Sequence, residues 1–276
     1  MRFLVSIVLI ISCQSYASIL APELSDRTYR YIELDNSLKV LLIADPTTNR
    51  AAAALDVFVG SNNDPIEYPG LAHFLEHMLF LGTDKFPKPG EYQDFISKNN
   101  GVYNAYTEPE HTNYFFGVNP LAFESALDRF SRFFVAPTLD PEYVDREINA
   151  IHSEYQSKLK DESRRSFEAI KSGLNPVHPI TRFSAGNFQT LNKDGLTEAL
   201  TKFYQTQYSA NRMTLVVIAN RTLDELEKMV SHHFSRVINR DLKPAYTPKP
   251  LFDLNRLPYV IKSKPVTESR KIALYW

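Results

Sequence analysis

The pattern of hydrophobic and polar positions predicts two strands before residue 60. The first lies within Tyr29–Asp45 and centres on the apolar run Leu38–Ile43, and the second is Ala51–Val59, which is rich in Ala and Val. Short apolar runs with many β-branched or small residues, bounded by polar residues, are typical of strands. We expect these two strands to be neighbours in one sheet.

A buried helix and a hairpin are predicted next. Pro69-Gly70 interrupts regular structure, and from Leu71 to Leu81 apolar residues occupy most of a helical circumference, which predicts a buried helix. Glu91–Lys98 is a candidate for a shorter helix. Two β-prone runs, Val102–Thr107 and Thr112–Val118, follow with a short polar connection and predict a hairpin.

The second half of the chain is mainly helical in pattern. Apolar residues recur at helical spacing over Pro120–Phe134, and a long helix is predicted from Pro141 toward Ile170, with the proline in its first turn. A loop, a helix, a strand and a helix are expected after it, at Asn175–Asn192, Leu196–Tyr208, Met213–Ala219 and Leu223–Phe234. Hairpin strands with helices gathered between them predict an α+β fold, a mostly antiparallel β-sheet with helices packed against it.

Composition changes divide the chain into four segments. Residues 1–17 are predicted to be a signal peptide, and residues 18–242 form the main domain. The proline-rich residues 243–258 are typical of a linker. Residues 259–276 contain two apolar runs, Tyr259–Ile261 and Ile272–Trp276, that we interpret as the opening strands of a second, truncated domain.

The N-terminal segment predicts export. Arg2 precedes an apolar run, and Ser15-Tyr16-Ala17 ends the segment as a cleavage site does, so we expect a periplasmic or secreted protein cleaved near Ala17. The apolar run is too short for a permanent membrane span. Ile10-Ile11-Ser12-Cys13 resembles a bacterial lipoprotein cleavage site, so a lipid anchor at Cys13 is the alternative.

The charge balance excludes a general attraction to polyanions. The chain has 31 Lys and Arg against 32 Asp and Glu, a formal net charge of -1. No global field therefore draws it to nucleic acid or to an anionic membrane. Its partners have to be inferred from local sites.

The strongest local signal is the sequence His73-Phe74-Leu75-Glu76-His77. Two histidines one helical turn apart can direct ring nitrogens toward one ion, and neutral imidazoles are ligands that Zn²⁺ prefers. Glu76 lies on the adjacent side of the same helix, where it can reach a metal-activated water instead of the metal. The spacing predicts a hydrolytic zinc site with Glu76 as general base, and H-x-x-E-H is the general inverzincin signature.

A third zinc ligand is expected from the helix after Pro141. Glu147 and Glu154 are seven residues apart and so lie on one face of that helix. One of them can bind the ion while the other hydrogen-bonds a ligating histidine. The spacing alone leaves open which glutamate has which role.

The stretch Gly70–Thr83, GLAHFLEHMLFLGT, resembles the hallmark of the inverzincin peptidases, the M16 family of insulysin and pitrilysin. The resemblance implies a zinc-dependent endopeptidase that acts on oligopeptides or unfolded segments, with one Zn²⁺ per chain. It implies Glu154 as the third ligand and Glu147 as a supporting acidic residue. It further implies that Asn104, Ala105 and Tyr106 form an exposed edge strand that binds the peptide substrate.

The resemblance extends over nearly the whole chain after the signal segment, including Asn104–Thr107, Glu110–Tyr114 and Asn175–Pro179. Family members of this branch are longer, and their second half supplies an arginine and a tyrosine near the metal. We therefore expect weak or absent peptidase activity from this chain alone. The alternative is a noncatalytic peptide-binding or subunit module whose chamber is completed by a partner chain or a missing C-terminal half.

Overall fold

A computed structural model describes residues 25–244, 250–266, 268 and 270–274. One six-stranded sheet forms its centre. The strands are β1 (Thr28–Glu33), β2 (Lys39–Ala44), β3 (Ala51–Val57), β4 (Val102–Thr107), β5 (Thr112–Val118) and β6 (Met213–Ala219), in the spatial order β1-β2-β6-β3-β5-β4.

The sheet confirms the α+β prediction with a mostly antiparallel arrangement, because only β2 and β6 pair in parallel among the described strands. The expectation that β2 and β3 are neighbours is wrong, since β6 lies between them. The reason is composition: β6 reads MTLVVIA and has almost no polar side. A strand that is apolar on both faces is stabilised at the centre of a sheet.

Eight α-helices occur in the described residues. They are α1 (Leu71–Leu79), α2 (Glu91–Lys98), α3 (Phe123–Val135), α4 (Val144–Ser157), α5 (Glu162–Lys171), α6 (Phe188–Leu191), α7 (Leu196–Gln207) and α8 (Leu223–Phe234). The long helix predicted from Pro141 to Ile170 is two helices. Asp161 separates them, because its carboxylate accepts the Arg164 N-H at 2.8 Å and so caps the start of α5.

The core lies between the sheet and the helices that carry aromatic residues. Phe130 of α3 packs edge-on against Phe116 of β5, with ring centroids 5.1 Å apart, and also contacts Phe134 at 5.3 Å. All three rings are almost fully buried. Edge-to-face pairs of this kind add to the free energy gained from burying apolar area. The packing places α3 against the sheet, and the edge strand β4 of that sheet contacts α1.

The two C-terminal strand predictions are wrong for the described residues. Tyr259–Ile261 and residues 272–274 do not form strands, because no partner strand lies beside them in the described part of the chain. The Tyr259 ring instead lies against Gly173, where a Cβ would come within 2.7 Å of its Cδ1. The other predicted boundaries, at residues 242 and 258, stay predictions.

The predicted signal segment, residues 1–17 with Cys13, lies outside the described residues, as do Tyr275 and Trp276. Among the helices that the structure does describe, none has the length and apolar character needed to cross a membrane.

Candidate metal centre

The N-terminus of α1 is fixed by a side chain from the preceding turn. Gly70 occupies the N-cap position with a left-handed φ of 95° and has no side chain to cap the helix. The buried carboxylate of Asp64 takes this role and accepts the N-H groups of Gly70 at 2.7 Å and Ala72 at 2.8 Å. Burial raises the pKa of Asp64 to about 7, although both hydrogen bonds favour the charged form.

The two histidines of α1 present their rings side by side. The ring centroids of His73 and His77 are 4.9 Å apart at an angle of 87°. His73 Nδ1 lies 2.6 Å from the Ala185 carbonyl oxygen, and His77 Nδ1 lies 3.3 Å from Glu147 Oε2. A carbonyl can only accept a hydrogen bond, so His73 carries its proton on Nδ1 and keeps the lone pair of Nε2 free.

Glu154 completes a group of three potential metal ligands. Its Oε2 lies 3.7 Å from His73 Nε2 and 3.7 Å from His77 Nε2, and all three atoms lie within 4.8 Å of one another. Ligands about 2.1 Å from a tetrahedral ion are spaced roughly 3.4 Å apart. The two nitrogens and one oxygen therefore fit a zinc ion with only a small inward movement.

Lys158 contacts the other oxygen of the Glu154 carboxylate. Its Nζ lies 2.5 Å from Oε1, one turn further along α4. Glu154 Oε2 is therefore the oxygen available to an ion, and Glu147 on the same face reaches the outer nitrogen of His77 instead. The structure thus places the two glutamates at different positions around the histidine pair.

The three candidate ligands differ in charge. Burial lowers the pKa of His73 to about 4, and the neighbouring His77 adds to this shift. Burial also lowers the pKa of His77, but the carboxylates of Glu147, 3.3 Å from Nδ1, and Glu154, 3.7 Å from Nε2, outweigh it and raise the value to about 9. The nearby His77 imidazolium, whose Nε2 is 3.7 Å from Oε2, holds the pKa of Glu154 far below its ordinary value. At neutral pH the centre therefore contains a neutral and a cationic imidazole beside an anionic carboxylate.

Glu76 stands apart from this group. Its side chain is buried, at 7% exposure, and its Oε2 accepts a hydrogen bond from the Thr107 hydroxyl at 2.6 Å. Burial raises the pKa of Glu76 above its ordinary value, and the Thr107 hydrogen bond opposes that shift. One oxygen of the carboxylate is thus engaged by β4, and Oε1 remains for other contacts.

The strand predicted to bind peptide lies at one edge of the sheet, paired only with β5 among the described strands. The Glu108 N-H donates to the His111 carbonyl across the hairpin. Because backbone groups alternate in direction along an antiparallel strand, those of Tyr103, Ala105 and Thr107 point away from β5. Of the three predicted residues, only Ala105 therefore offers its backbone outward, whereas Asn104 and Tyr106 pair with β5.

An open cleft of about 560 Å³ lies beside this edge and the histidine pair. Its lining includes Glu76 and His77 from α1, Tyr103 and Ala105 from β4, and Glu147 from α4. A peptide lying along the outward side of β4 would thus run past the candidate metal centre.

Three residues that position the centre carried little sequence signal. Asp64 precedes a glycine N-cap by six residues, which is a usable hint of a capping side chain from outside the helix. Thr107 and Ala185 reach the site only through tertiary structure, and Ala185 does so with a backbone carbonyl. No residue pattern specifies such a contact.

The chain matches two family models. One is described as Insulinase (Peptidase family M16) and covers residues 39–177, which include His73, His77 and Glu154. The other is described as Peptidase M16 inactive domain and covers residues 197–276. The chain therefore belongs to peptidase family M16, a family of zinc-type peptidases.

Similar proteins are considerably longer. The insulin-degrading enzyme of Mus musculus is 44% identical over 250 residues, which are 88% of this chain and 24% of that protein. The putative zinc protease mug138 of Schizosaccharomyces pombe is 41% identical over 257 residues, 91% of this chain and 26% of that protein. The crystal structure of pitrilysin superposes with a TM-score of 0.82 at 36% identity, covering 85% of this chain and 25% of that one. The chain thus spans about a quarter of the length of these relatives.

Proposed function

We propose that this chain is the zinc-binding, catalytic portion of an endopeptidase that hydrolyses oligopeptides or unfolded polypeptide segments. The observation that carries the proposal is the convergence of His73 Nε2, His77 Nε2 and Glu154 Oε2 within 4.8 Å, with a second carboxylate, Glu76, kept apart from them. Family membership supports it, as do relatives described as an insulin-degrading enzyme and a putative zinc protease.

Each residue has a distinct role in this proposal. His73, His77 and Glu154 would hold one Zn²⁺, and Glu147 would orient His77 through its Nδ1. A zinc ion bound there would supply Lewis-acid activation of the scissile carbonyl and of a water molecule. Three protein ligands leave one position for that chemistry, as catalytic zinc sites require.

Glu76 would act as the general base and then as the acid. Since Thr107 occupies Oε2, the proton is accepted at Oε1 and later passed to the leaving amine. The direction of its pKa shift agrees with this role, because a carboxyl with a raised pKa accepts a proton more readily near neutral pH.

The substrate would bind as an additional strand along β4. The outward N-H and C=O groups of Tyr103, Ala105 and Thr107 can pair with an extended peptide backbone. Recognition through the backbone tolerates many side chains, which suits a peptidase for unfolded segments. Residues 1–17, by their composition, favour an exported location for this activity.

Metal analysis combined with peptide cleavage tests the proposal. We expect about one zinc per wild-type chain and slow hydrolysis of a fluorogenic peptide, weaker than that of a full-length relative, and Glu76→Gln should keep the zinc while losing this turnover. Glu110→Gln, on the exposed β4–β5 turn, is the matched control and should behave as the wild type. Measurable and equal turnover in wild type and Glu76→Gln would exclude Glu76 from the mechanism.

A noncatalytic module is the second candidate, because the chain spans only about a quarter of its relatives. That function predicts zinc and peptide binding by the wild type without hydrolysis, even over long incubations followed by mass spectrometry. Detection of Glu76-dependent cleavage products would rule it out.

A further inference from the structure

We propose that the segment Ala185–Gly186 is a positioning element that sets the tautomer and rotation of His73, and that it does so because two glycine backbones cross there. The inference rests on the proposed function in that it concerns the same zinc centre. It assigns a role to a backbone segment that lies 112 residues from His73 in the chain.

The hydrogen bond from His73 Nδ1 to the Ala185 carbonyl is short, at 2.6 Å. It selects the tautomer that carries the proton on Nδ1, and it also fixes the plane of the ring. Both effects leave the lone pair of Nε2 free on the side of the ring that is near His77 and Glu154. A metal-ligating histidine depends on such a partner for its outer nitrogen.

The position of the carbonyl is determined by a close backbone crossing. Gly70 has a φ of +95° and Gly186 a φ of +74°. A Cβ built on Gly70 would lie 2.3 Å from both the Cα and the N of Gly186, and 3.2 Å from the carbonyl carbon of Ala185. These are backbone atoms, which cannot rotate out of the way. A methyl group at position 70 would therefore displace the Ala185–Gly186 peptide.

The same segment also contacts the other ligand-bearing helix. A Cβ on Gly186 would lie 3.3 Å from Ile151 Cγ2 on α4. Gly70 precedes His73 by three residues, and Ile151 precedes Glu154 by three residues. Gly186 is thus packed between the helical turns that precede the two ligands, so its position also affects the spacing between α1 and α4.

Gly70→Ala tests the inference, with Gly90→Ala as the matched control. Gly90 is also a left-handed helix N-cap, with a φ of +85°, but a Cβ there would meet nothing within 4 Å. Both substitutions carry a similar backbone strain, and only the first disturbs the crossing. Zinc affinity is measured by competition with a chromophoric chelator, and thermal unfolding of the metal-free proteins controls for folding.

We expect Gly70→Ala to bind zinc about 10- to 100-fold more weakly than the wild type, the usual effect of losing an outer partner of a metal ligand. Gly90→Ala should bind zinc as the wild type does. Equal zinc affinity in Gly70→Ala and wild type would overturn the inference. A wild type that binds no zinc would instead refute the proposed function.

A spectroscopic measurement on the wild type tests the inference even where Gly70→Ala does not fold. Long-range ¹H–¹⁵N spectra of the metal-free protein at neutral pH distinguish the two neutral tautomers of a histidine. We expect His73 as the Nδ1-H tautomer, bonded to Ala185, with the proton signal of a strong hydrogen bond. A His73 that carries its proton on Nε2 would overturn the inference, whatever the zinc affinity.

Discussion

Replacing Thr107 with valine removes the hydroxyl that donates to Glu76 and keeps the size and branching of the side chain. The hydroxyl lies 2.6 Å from Glu76 Oε2 and joins β4 to the carboxylate of Glu76. Because Glu76 is buried, its carboxylate would lose this donor without full replacement by water. The variant should therefore fold less stably when Glu76 is ionised.

The size of the stability loss follows from the type of hydrogen bond that is removed. A hydrogen bond to a charged group contributes roughly 1.5–3 kcal/mol, and Thr107 is partly exposed, so we take about 2 kcal/mol. In a domain of about 150–250 residues, a change of this size lowers the melting temperature by roughly 4–8 °C.

The stability loss caused by Thr107→Val should increase with pH. The folded pKa of Glu76 lies above its unfolded value of 4.5, so ionisation destabilises the fold progressively as pH rises from 4.5 through the folded pKa. The Thr107 hydroxyl offsets part of that loss, and only for the ionised carboxylate. The difference in stability between wild type and Thr107→Val should thus be small near pH 4.5 and larger at pH 8.

Thermal unfolding of the metal-free proteins at both pH values measures this difference. Thr107→Ser keeps the hydroxyl and is the matched control, which should retain most of the wild-type stability at pH 8. Equal melting temperatures of wild type and Thr107→Val at pH 8 would refute the reasoning. An equal loss at both pH values would show that packing of the side chain, and not the bond to Glu76, accounts for the effect.

Three further predictions address the ligands, their protonation and the edge strand. Glu147→Gln should weaken zinc binding by about 10- to 100-fold, and Glu154→Gln should weaken it further because it loses a direct ligand. Competition with a chelator measures both affinities, and the reverse order would contradict the assignment of the two glutamates. The pKa of His77 is about 9 in the folded protein and 6.5 in the unfolded chain, so protonated His77 stabilises the metal-free protein fully below pH 6.5. The melting temperature of the wild type should therefore fall between pH 6.5 and 9, and that of His77→Gln should fall less. Ala105→Pro removes an N-H that points away from β5, so it should weaken binding of an uncleavable peptide roughly tenfold, or by about 1.4 kcal/mol, with little loss of stability. Asn104→Pro removes an N-H that pairs with β5 and should instead destabilise the β4–β5 pair.

Local patterns predicted the elements whose partners are close in sequence. The hairpin β4–β5 and the helices α2 and α8 occur where periodicity places them. The position of β6 between β2 and β3 required knowledge of a pairing across some 160 residues, which no local pattern contains. The break between α4 and α5 depends on Asp161, whose capping effect is visible in the sequence only once a helix end is suspected there.

The candidate site also has one part that the sequence predicts and one part that it does not. His73, Glu76 and His77 belong to one helix, so their relative placement follows from 3.6 residues per turn. Glu147 and Glu154 share a face of α4, and the choice between them needed the crossing of two helices, which places Glu154 near both Nε2 atoms. That crossing depends on the packing of the whole core and lies beyond any spacing rule.

The central claim is that one ion is held by residues of α1 and α4. Anomalous X-ray scattering at the zinc edge, on crystals of the zinc-loaded wild-type chain, tests it most directly. We expect one peak about 2.0–2.2 Å from His73 Nε2, His77 Nε2 and a Glu154 oxygen, with Glu76 outside that distance. A peak coordinated by Glu147 in place of Glu154, or no peak beside the histidine pair, would contradict it.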